Sequence, residues 1–380
     1  MKTAIVHYWL VGMRGGERVL EELCKLFPDA DIFTHVFDPG RISALIKQHK
    51  VDTTYIAKLP FAIKHYQKYL GFMPRALENL DLSSYDLILS SESGPAKGVV
   101  PRPGAHHICY CHSPMRYIWD EYYTYTEHMD PVSRFVFSRI AHQMRIWDVV
   151  SSARVDHFIA NSTFTASRIE RYYNRDASIV HPPVDTARFK PSQRRGDFFL
   201  FAGQLVPYKK ADLAVEAFRD IDAPLYVVGD GSDRKRLEKM APSNVKFLGR
   251  VSNAELETLY GECRALIFPG QEDFGIVPLE AMASGRPVIA LNRGGALDTV
   301  IPNETGVFFD QPTAASLAAA VKRFYLVEDT FDSERLQAHA QSFSQERFRE
   351  DFTTALNSAL ASKPKHPGAA DLEQVHSHVS

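Results

Sequence analysis

Cysteine is scarce in this chain: Cys24, Cys109, Cys111 and Cys263 are the only four in 380 residues. They are too few and too scattered for a disulfide framework, and the close pair Cys109/Cys111 has no second pair at zinc-ligand spacing. A reduced, cytoplasmic chain is the simplest expectation. No window offers 18 consecutive apolar residues, so no membrane-spanning helix is expected. Charge excess is missing as well. A formal net charge of −2 gives no global pull on nucleic acid, and attraction to an anionic surface would need local patches. The N-terminal MKTAIVHYWLVGMRGGERV has one basic residue ahead of its apolar run and no small-residue cleavage site, so it reads as a first buried strand rather than a signal peptide. Its glycines, Gly12 to Gly16, lack the G-x-G-x-x-G spacing of a dinucleotide oxidoreductase.

What is present is ordinary globular material, 45% hydrophobic and 24% charged, long enough for two domains. Short β-rich runs alternate with helical stretches: TAIVHY, DLILSS, HHICYC and HFIANS, then FFLFAG, LYVVGD, VKFLG, ALIFPG and PVIALN. Such alternation predicts parallel sheets covered by helices on both faces, an α/β class. The series breaks at His181-Pro-Pro-Val-Asp185 and the polar KPSQRRG, a linker composition. The expected boundaries are 1–185, 186–342, a helix over 343–362 and a disordered tail over 363–380. Ser342 with Gln345 resembles a capping box for that helix, whose Phe348, Phe352, Leu356 and Leu360 form one apolar stripe. The two Asp-x-Asp matches, Asp29/Asp31 and Asp220/Asp222, follow helices and read as turns, not metal sites.

The richest stretch is GQEDFGIVPLEAMASGRPVIA, residues 270–290. Glu272 lies in a glycine-containing loop after a strand, and Glu280 eight residues on, in the first turns of a helix. Ligands of open α/β sheets bind beyond the carboxyl ends of the strands. There the second half places glycine four times: Gly203, Gly229, Gly249 and Gly270. Glycine permits close approach to the backbone. Lys209 and Lys210 near one helix start, and a helix N-terminus after Asp273-Phe-Gly275, suit a diphosphate. In isolation Glu272 and Glu280 are also ordinary first-turn acids, Lys209 a solvated lysine and His112 a satisfied buried histidine; their co-occurrence favours a site.

These residues resemble the retaining glycosyltransferases of family 4, which have the GT-B fold. The similarity runs through Gly15-Gly16, His112 in CYCHSPMRYIWD, HPPVD, GQLVPYKK and the two glutamates, in the family's order. It implies two Rossmann-like domains facing each other across a cleft, with the C-terminal helix packing back on the N-terminal domain. It also implies roles. Glu280 would bind the nucleotide ribose, Glu272 the transferred sugar, and the backbone of Phe274, Gly275 and Ile276 the sugar and diphosphate. Lys209 would neutralise the leaving diphosphate, Gly16 would let the first domain close over the phosphates, and His112 would face the anomeric carbon. Gly15, Gly229 and Val277 complete the donor-binding set. Arg250 and Val251 lie where the base would be read. Many family members have arginine where this chain has Gln204, which removes one phosphate cation that Lys210 would replace. The resemblance implies no metal and no cofactor beyond the nucleotide-sugar donor.

The wording YCHSPMRYIWD and GQLVPYKKADLAVEAF is similar to bacterial mannosyltransferases of polysaccharide assembly, which implies GDP-mannose as donor. The acceptor would be a saccharide or a polyprenyl-diphosphate-linked saccharide. Alternatives are a UDP-glucose or UDP-N-acetylglucosamine transferase of the same fold, and an inactive scaffold homologue. Two stretches without acids, 53–77 and 133–147, combine Lys, Arg and aromatic residues, which suits either a membrane interface or a half-buried surface helix. The resemblance points to peripheral contact with the inner face of the plasma membrane.

Overall fold

A computed structural model describes residues 1–127 and 129–361; the expected tail lies outside the described residues. The chain divides into two compact units: Met1–His181 together with the residues from Arg349 on, and Pro182–Phe348.

The first unit is built on a seven-stranded sheet: β1 (Thr3–His7), β2 (Asp31–Thr34), β3 (Val51–Thr53), β4 (Leu87–Glu92), β5 (His106–Cys111), β6 (His157–Ala160) and β7 (Ala177–Ile179). All neighbours are parallel, in the order β3-β2-β1-β4-β5-β6-β7. β1 and β4 are buried along their whole length, as expected when helices cover both faces. Asp31 opens β2 and accepts a hydrogen bond of 2.6 Å from the Tyr85 hydroxyl, so this Asp-x-Asp match is not wholly the turn its sequence suggests.

The second unit holds six parallel strands: β8 (Phe199–Ala202), β9 (Leu225–Val228), β10 (Val245–Gly249), β11 (Leu266–Phe268), β12 (Val288–Leu291) and β13 (Gly306–Phe309), in the order β10-β9-β8-β11-β12-β13. The two-residue period of a strand sorts its side chains. Phe199, Phe201, Leu225, Val227, Ile289 and Leu291 enter one core, and Phe198, Leu200, Val228, Val288 and Ala290 the other. Phe199 is fully buried, worth roughly 2 kcal/mol of transfer free energy.

The last helix, Gln345–Leu360, starts one residue after Ser344, whose hydroxyl accepts from the Arg347 N–H at 3.2 Å. Ser344, not Ser342, is therefore the cap. Ser342 still belongs to the end of the preceding helix, Ser333–Gln341, and its hydroxyl donates to the His339 carbonyl at 2.7 Å. Phe348, Phe352 and Leu356 are buried as a stripe. Within the first unit, Phe352 lies against Tyr110 with ring centroids 6.3 Å apart, and Arg349 pairs with the buried Glu22.

Candidate functional site

The sheet of the second unit grows in two directions from the β8/β11 junction, with β9 and β10 on one side and β12 and β13 on the other. Such a switch point opens a crevice beyond the carboxyl ends of the strands. The loops after β8 and β11 flank it. The first ends in a 3-10 turn, Pro207–Lys209; the second carries Glu272. Their side chains meet, with Lys209 Nζ 2.5 Å from Glu272 Oε2 and each side chain 16% exposed. Both ends of the pair keep partial access to solvent, and an incoming diphosphate can compete for the ammonium.

Two glycines hold the Glu272 loop in place. The Gly295 N–H donates to the Glu272 carbonyl at 2.9 Å. A Cβ on Gly295 would lie 2.2 Å from Phe274 Cα, and one on Gly294 would lie 2.6 Å from the Glu272 carbonyl oxygen. Gly275 follows at φ +93° as the cap of the helix Ile276–Ala283, a conformation that excludes most side chains. The helix N-terminus, with its partial positive charge, is thus set beside the crevice. Further along, Glu280 accepts a 2.8 Å hydrogen bond from the Tyr260 hydroxyl. Burial pushes its carboxyl above the usual range, opposed by that bond and by Arg188 and Lys209.

The glycines after the strands serve more than one purpose. A Cβ on Gly229 would sit 1.8 Å from the Gly203 carbonyl oxygen, and one on Gly231 would sit 2.1 Å from that of Leu205. The space beside them is filled by the neighbouring loop's backbone, so loop-on-loop packing already requires them. Gly203, by contrast, has only the Phe201 ring near it, at 3.9 Å. Val251, Ile276 and Val277 are half-buried against the core. Gln204, Lys210 and Arg250 are exposed, and among the described residues no side-chain bond joins them to the pair at the crevice. Lys210, at φ +55°, caps the helix Ala211–Ala217.

The first unit has its own switch point, between β1 and β4. His7 and Ser91 face each other there in register, and the helix Gly15–Leu26 starts beyond it. His112, immediately after β5, is half-buried, with Nε2 2.8 Å from Ser91 Oγ. Its backbone is pinned twice: its N–H donates to the Glu92 carbonyl at 2.8 Å, and its carbonyl accepts from Asn161 Nδ2 at 2.9 Å. Burial, helped by His7, pushes its imidazole down to about 3, so it is neutral at physiological pH. Gly16 is required by contact: a Cβ there would lie 2.1 Å from the Tyr8 hydroxyl and 3.6 Å from His112 Nε2. Gly15 precedes it as the first residue of the helix.

Sequence inspection had not singled out His7, Tyr8, Glu17, Ser91, Tyr260, Gly294 or Gly295. Only the last two carried a local signal, a double glycine after a β-rich run.

Against known proteins, residues 13–188 match the model described as Glycosyltransferase Family 4 and residues 185–342 the one described as Glycosyl transferases group 1. A GDP-mannose-dependent alpha-mannosyltransferase of Mycolicibacterium smegmatis is 44% identical over 112 residues, 29% of each chain. A GDP-mannose-dependent alpha-(1-6)-phosphatidylinositol monomannoside mannosyltransferase of Mycobacterium tuberculosis is 32% identical over 233 residues, 53% of this chain and 58% of that one. The chain thus spans about half or less of the length of the curated relatives it matches. A solved sucrose-phosphate synthase of Thermosynechococcus elongatus superposes with a TM-score of 0.71 at 18% identity, over 95% of this chain and 100% of that one. Two parallel-sheet units, two consecutive domain matches and this likeness in fold agree: the chain belongs to the GT-B glycosyltransferases, with a family 4 domain followed by a group 1 domain.

Proposed function

We propose that the protein is a retaining hexosyltransferase that moves mannose from GDP-mannose to a saccharide or lipid-linked saccharide in cell-surface polysaccharide assembly. The observation that carries this reading is the Lys209–Glu272 pair beside a helix N-terminus at the β8/β11 crevice. Breaking a sugar–phosphate bond leaves positive charge on the sugar and negative charge on the diphosphate. Lys209 and the helix N-terminus supply preorganised positive charge for the latter. Glu272, released by the ammonium, accepts from sugar hydroxyls, and Glu280 accepts from the ribose. With these groups neutralising the diphosphate, no divalent metal is needed. The two relatives named for GDP-mannose support the donor.

Retention would proceed by front-face attack. The bond from C1 to the phosphate oxygen breaks, its electron pair leaves with GDP, and the acceptor hydroxyl bonds to C1 from the same side while its proton passes to the departing phosphate. Trapping a covalent glycosyl-enzyme on Glu272 or an aspartate would contradict this. Calorimetric titration with GDP, UDP, ADP, GDP-mannose and UDP-glucose, with and without magnesium, tests the donor. Metal-independent preference for GDP and GDP-mannose is expected. Preference for UDP would move the enzyme to glucose-type donors, and no binding at all would favour an inactive scaffold.

We also propose that the first unit contacts an anionic membrane from one side. The two basic-aromatic stretches come together: Leu70 packs with Met115, Ile118, Phe137 and Ile140, and a Cβ on Gly71 would lie 3.7 Å from Ile140. Phe61 in the first stretch and Phe135 in the second are 79% and 63% exposed, Arg139 lies over the Phe135 ring, and Lys64, Lys68, Arg75 and Arg139 are exposed. Exposed aromatic and cationic groups in two segments that pack together suit a headgroup boundary. No helix among the described residues is long and apolar enough to cross a membrane. Flotation with phosphatidylglycerol-rich vesicles should carry the protein up; failure to float, with Phe61→Ser/Phe135→Ser indistinguishable from wild type, contradicts the contact.

A further inference from the structure

Three buried polar side chains line up behind His112. Ser91 Oγ lies 2.8 Å from His112 Nε2 and 3.0 Å from His7 Nδ1. The far nitrogen of His7, Nε2, lies 3.8 Å from Glu17 Oε1. His7, Ser91 and Glu17 are all buried. The other Glu17 oxygen accepts the Arg14 N–H at 2.9 Å, which fixes the carboxylate at the start of its helix.

The hydroxyl of Ser91 has one hydrogen and meets two ring nitrogens. One nitrogen must therefore accept from Ser91 and the other must donate to it. The hydrogen-bond order takes His7 as a neutral ring, since a second proton would let it donate to both Glu17 and Ser91 and reverse the series; on that premise, if His112 accepted, His7 would carry its hydrogen on Nδ1 and turn the bare lone pair of Nε2 toward the Glu17 carboxylate in a dry environment, which is electrostatically costly. In the opposite arrangement the His7 Nε2–H faces Glu17, His7 Nδ1 accepts from Ser91, and Ser91 accepts from the Nε2–H of His112. The carboxylate selects this second arrangement. Histidine tautomers are commonly set in this way, by the partner of the far nitrogen. Its consequence reaches the site: His112 keeps a lone pair on Nδ1, the nitrogen for which no partner exists among the described residues.

We infer that Glu17, His7 and Ser91 act in series as positioning residues that hold His112 in its Nε2–H tautomer, so that Nδ1 presents an acceptor to a sugar hydroxyl. The sugar as partner rests on the transferase reading; the tautomer does not. The depressed basicity of His112 agrees, since a neutral ring can accept at Nδ1 and a protonated one cannot. Gly16 belongs to the same arrangement, because a side chain there would strike Tyr8 beside the His7 ring.

The test uses the full chain labelled with nitrogen-15 in histidine, with the His112 resonances assigned by His112→Gln. At neutral pH the wild-type spectrum should show Nε2 protonated and Nδ1 bare. Ser91→Ala and Glu17→Gln should each shift His112 toward a mixture of tautomers, while GDP titrations stay unchanged. In both variants kcat with GDP-mannose should fall roughly tenfold or more, with little change in KM, since a misassigned tautomer removes a bond formed during reaction. Ser91→Thr, which keeps the hydroxyl, should restore both readouts. A wild-type His112 protonated on Nδ1, or a tautomer unmoved by Ser91→Ala, overturns the inference even if Glu17→Gln fails to fold. Correct tautomers with no turnover of GDP-mannose would instead count against the proposed donor alone.

Discussion

Gly295→Ala separates sugar recognition from nucleotide recognition. A Cβ there would lie 2.2 Å from Phe274 Cα, with the Phe274 carbonyl oxygen and carbon at 2.3 and 2.5 Å. All three are backbone atoms, so no rotamer change relieves the overlap. Ordinary contact begins at 3.4 Å, which requires the Glu272–Phe274 loop to retreat by about 1.2 Å relative to residue 295. The same movement strains the bond from the Gly295 N–H to the Glu272 carbonyl. A displacement near 1 Å at a reacting group costs on the order of 100-fold in rate. Overpacking of about 1–3 kcal/mol lowers the melting temperature by roughly 2–12 °C for a unit of this size. Titrations with GDP and with GDP-mannose give the decisive comparison. GDP should bind nearly as to wild type, because Glu280 sits beyond the displaced loop, while the added affinity conferred by the mannose disappears. Unchanged GDP-mannose affinity and turnover would refute the idea that Gly295 positions the sugar-binding loop.

Lys209→Met should weaken GDP binding by roughly 10- to 100-fold, the loss of a charged hydrogen bond, and reduce its salt dependence in calorimetry; equal affinity would remove Lys209 from the diphosphate site. Glu280→Gln should act in opposite directions on stability and function. Burial raises the Glu280 carboxyl, so its ionisation costs folding stability. That cost is absent below the ordinary glutamate value of 4.5 and grows as pH rises toward the raised folded value. The ligand-free variant should therefore melt higher than wild type at neutral pH, lose the difference near pH 4, and bind GDP less tightly. A variant less stable than wild type at neutral pH would show that the Tyr260 bond outweighs burial.

Much of the frame was readable in advance because parallel strands buried on both faces leave continuous apolar runs, as β4, β5, β8 and β12 do. β2 (DIFT), β3 (VDT) and β7 (ASI) are as short as β8 and β12 but interrupt their apolar residues with polar ones, so they leave no run to see. The cap of the last helix was displaced by two residues because Ser342 and Ser344 are chemically alike. Lys209 and Glu272 were visible as motif residues, but their contact was not, since sixty-three positions separate them in the sequence. The series behind His112 was invisible for the same reason: His7 and Ser91 are 84 residues apart and meet only because β1 and β4 pair. Gly229 reads from the sequence as a ligand-access glycine, yet the backbone of its neighbouring loop explains it equally well.

The most direct test is turnover of GDP-mannose by the full chain in EDTA, with water as acceptor, following GDP release and the anomer of the freed mannose. Wild type should release GDP slowly with mannose of retained, alpha configuration, and Glu272→Gln should be slower by about 100-fold or more. No GDP release, beta-mannose as first product, or equal rates for the two proteins would contradict a metal-independent retaining mannosyltransferase centred on Glu272 and Lys209.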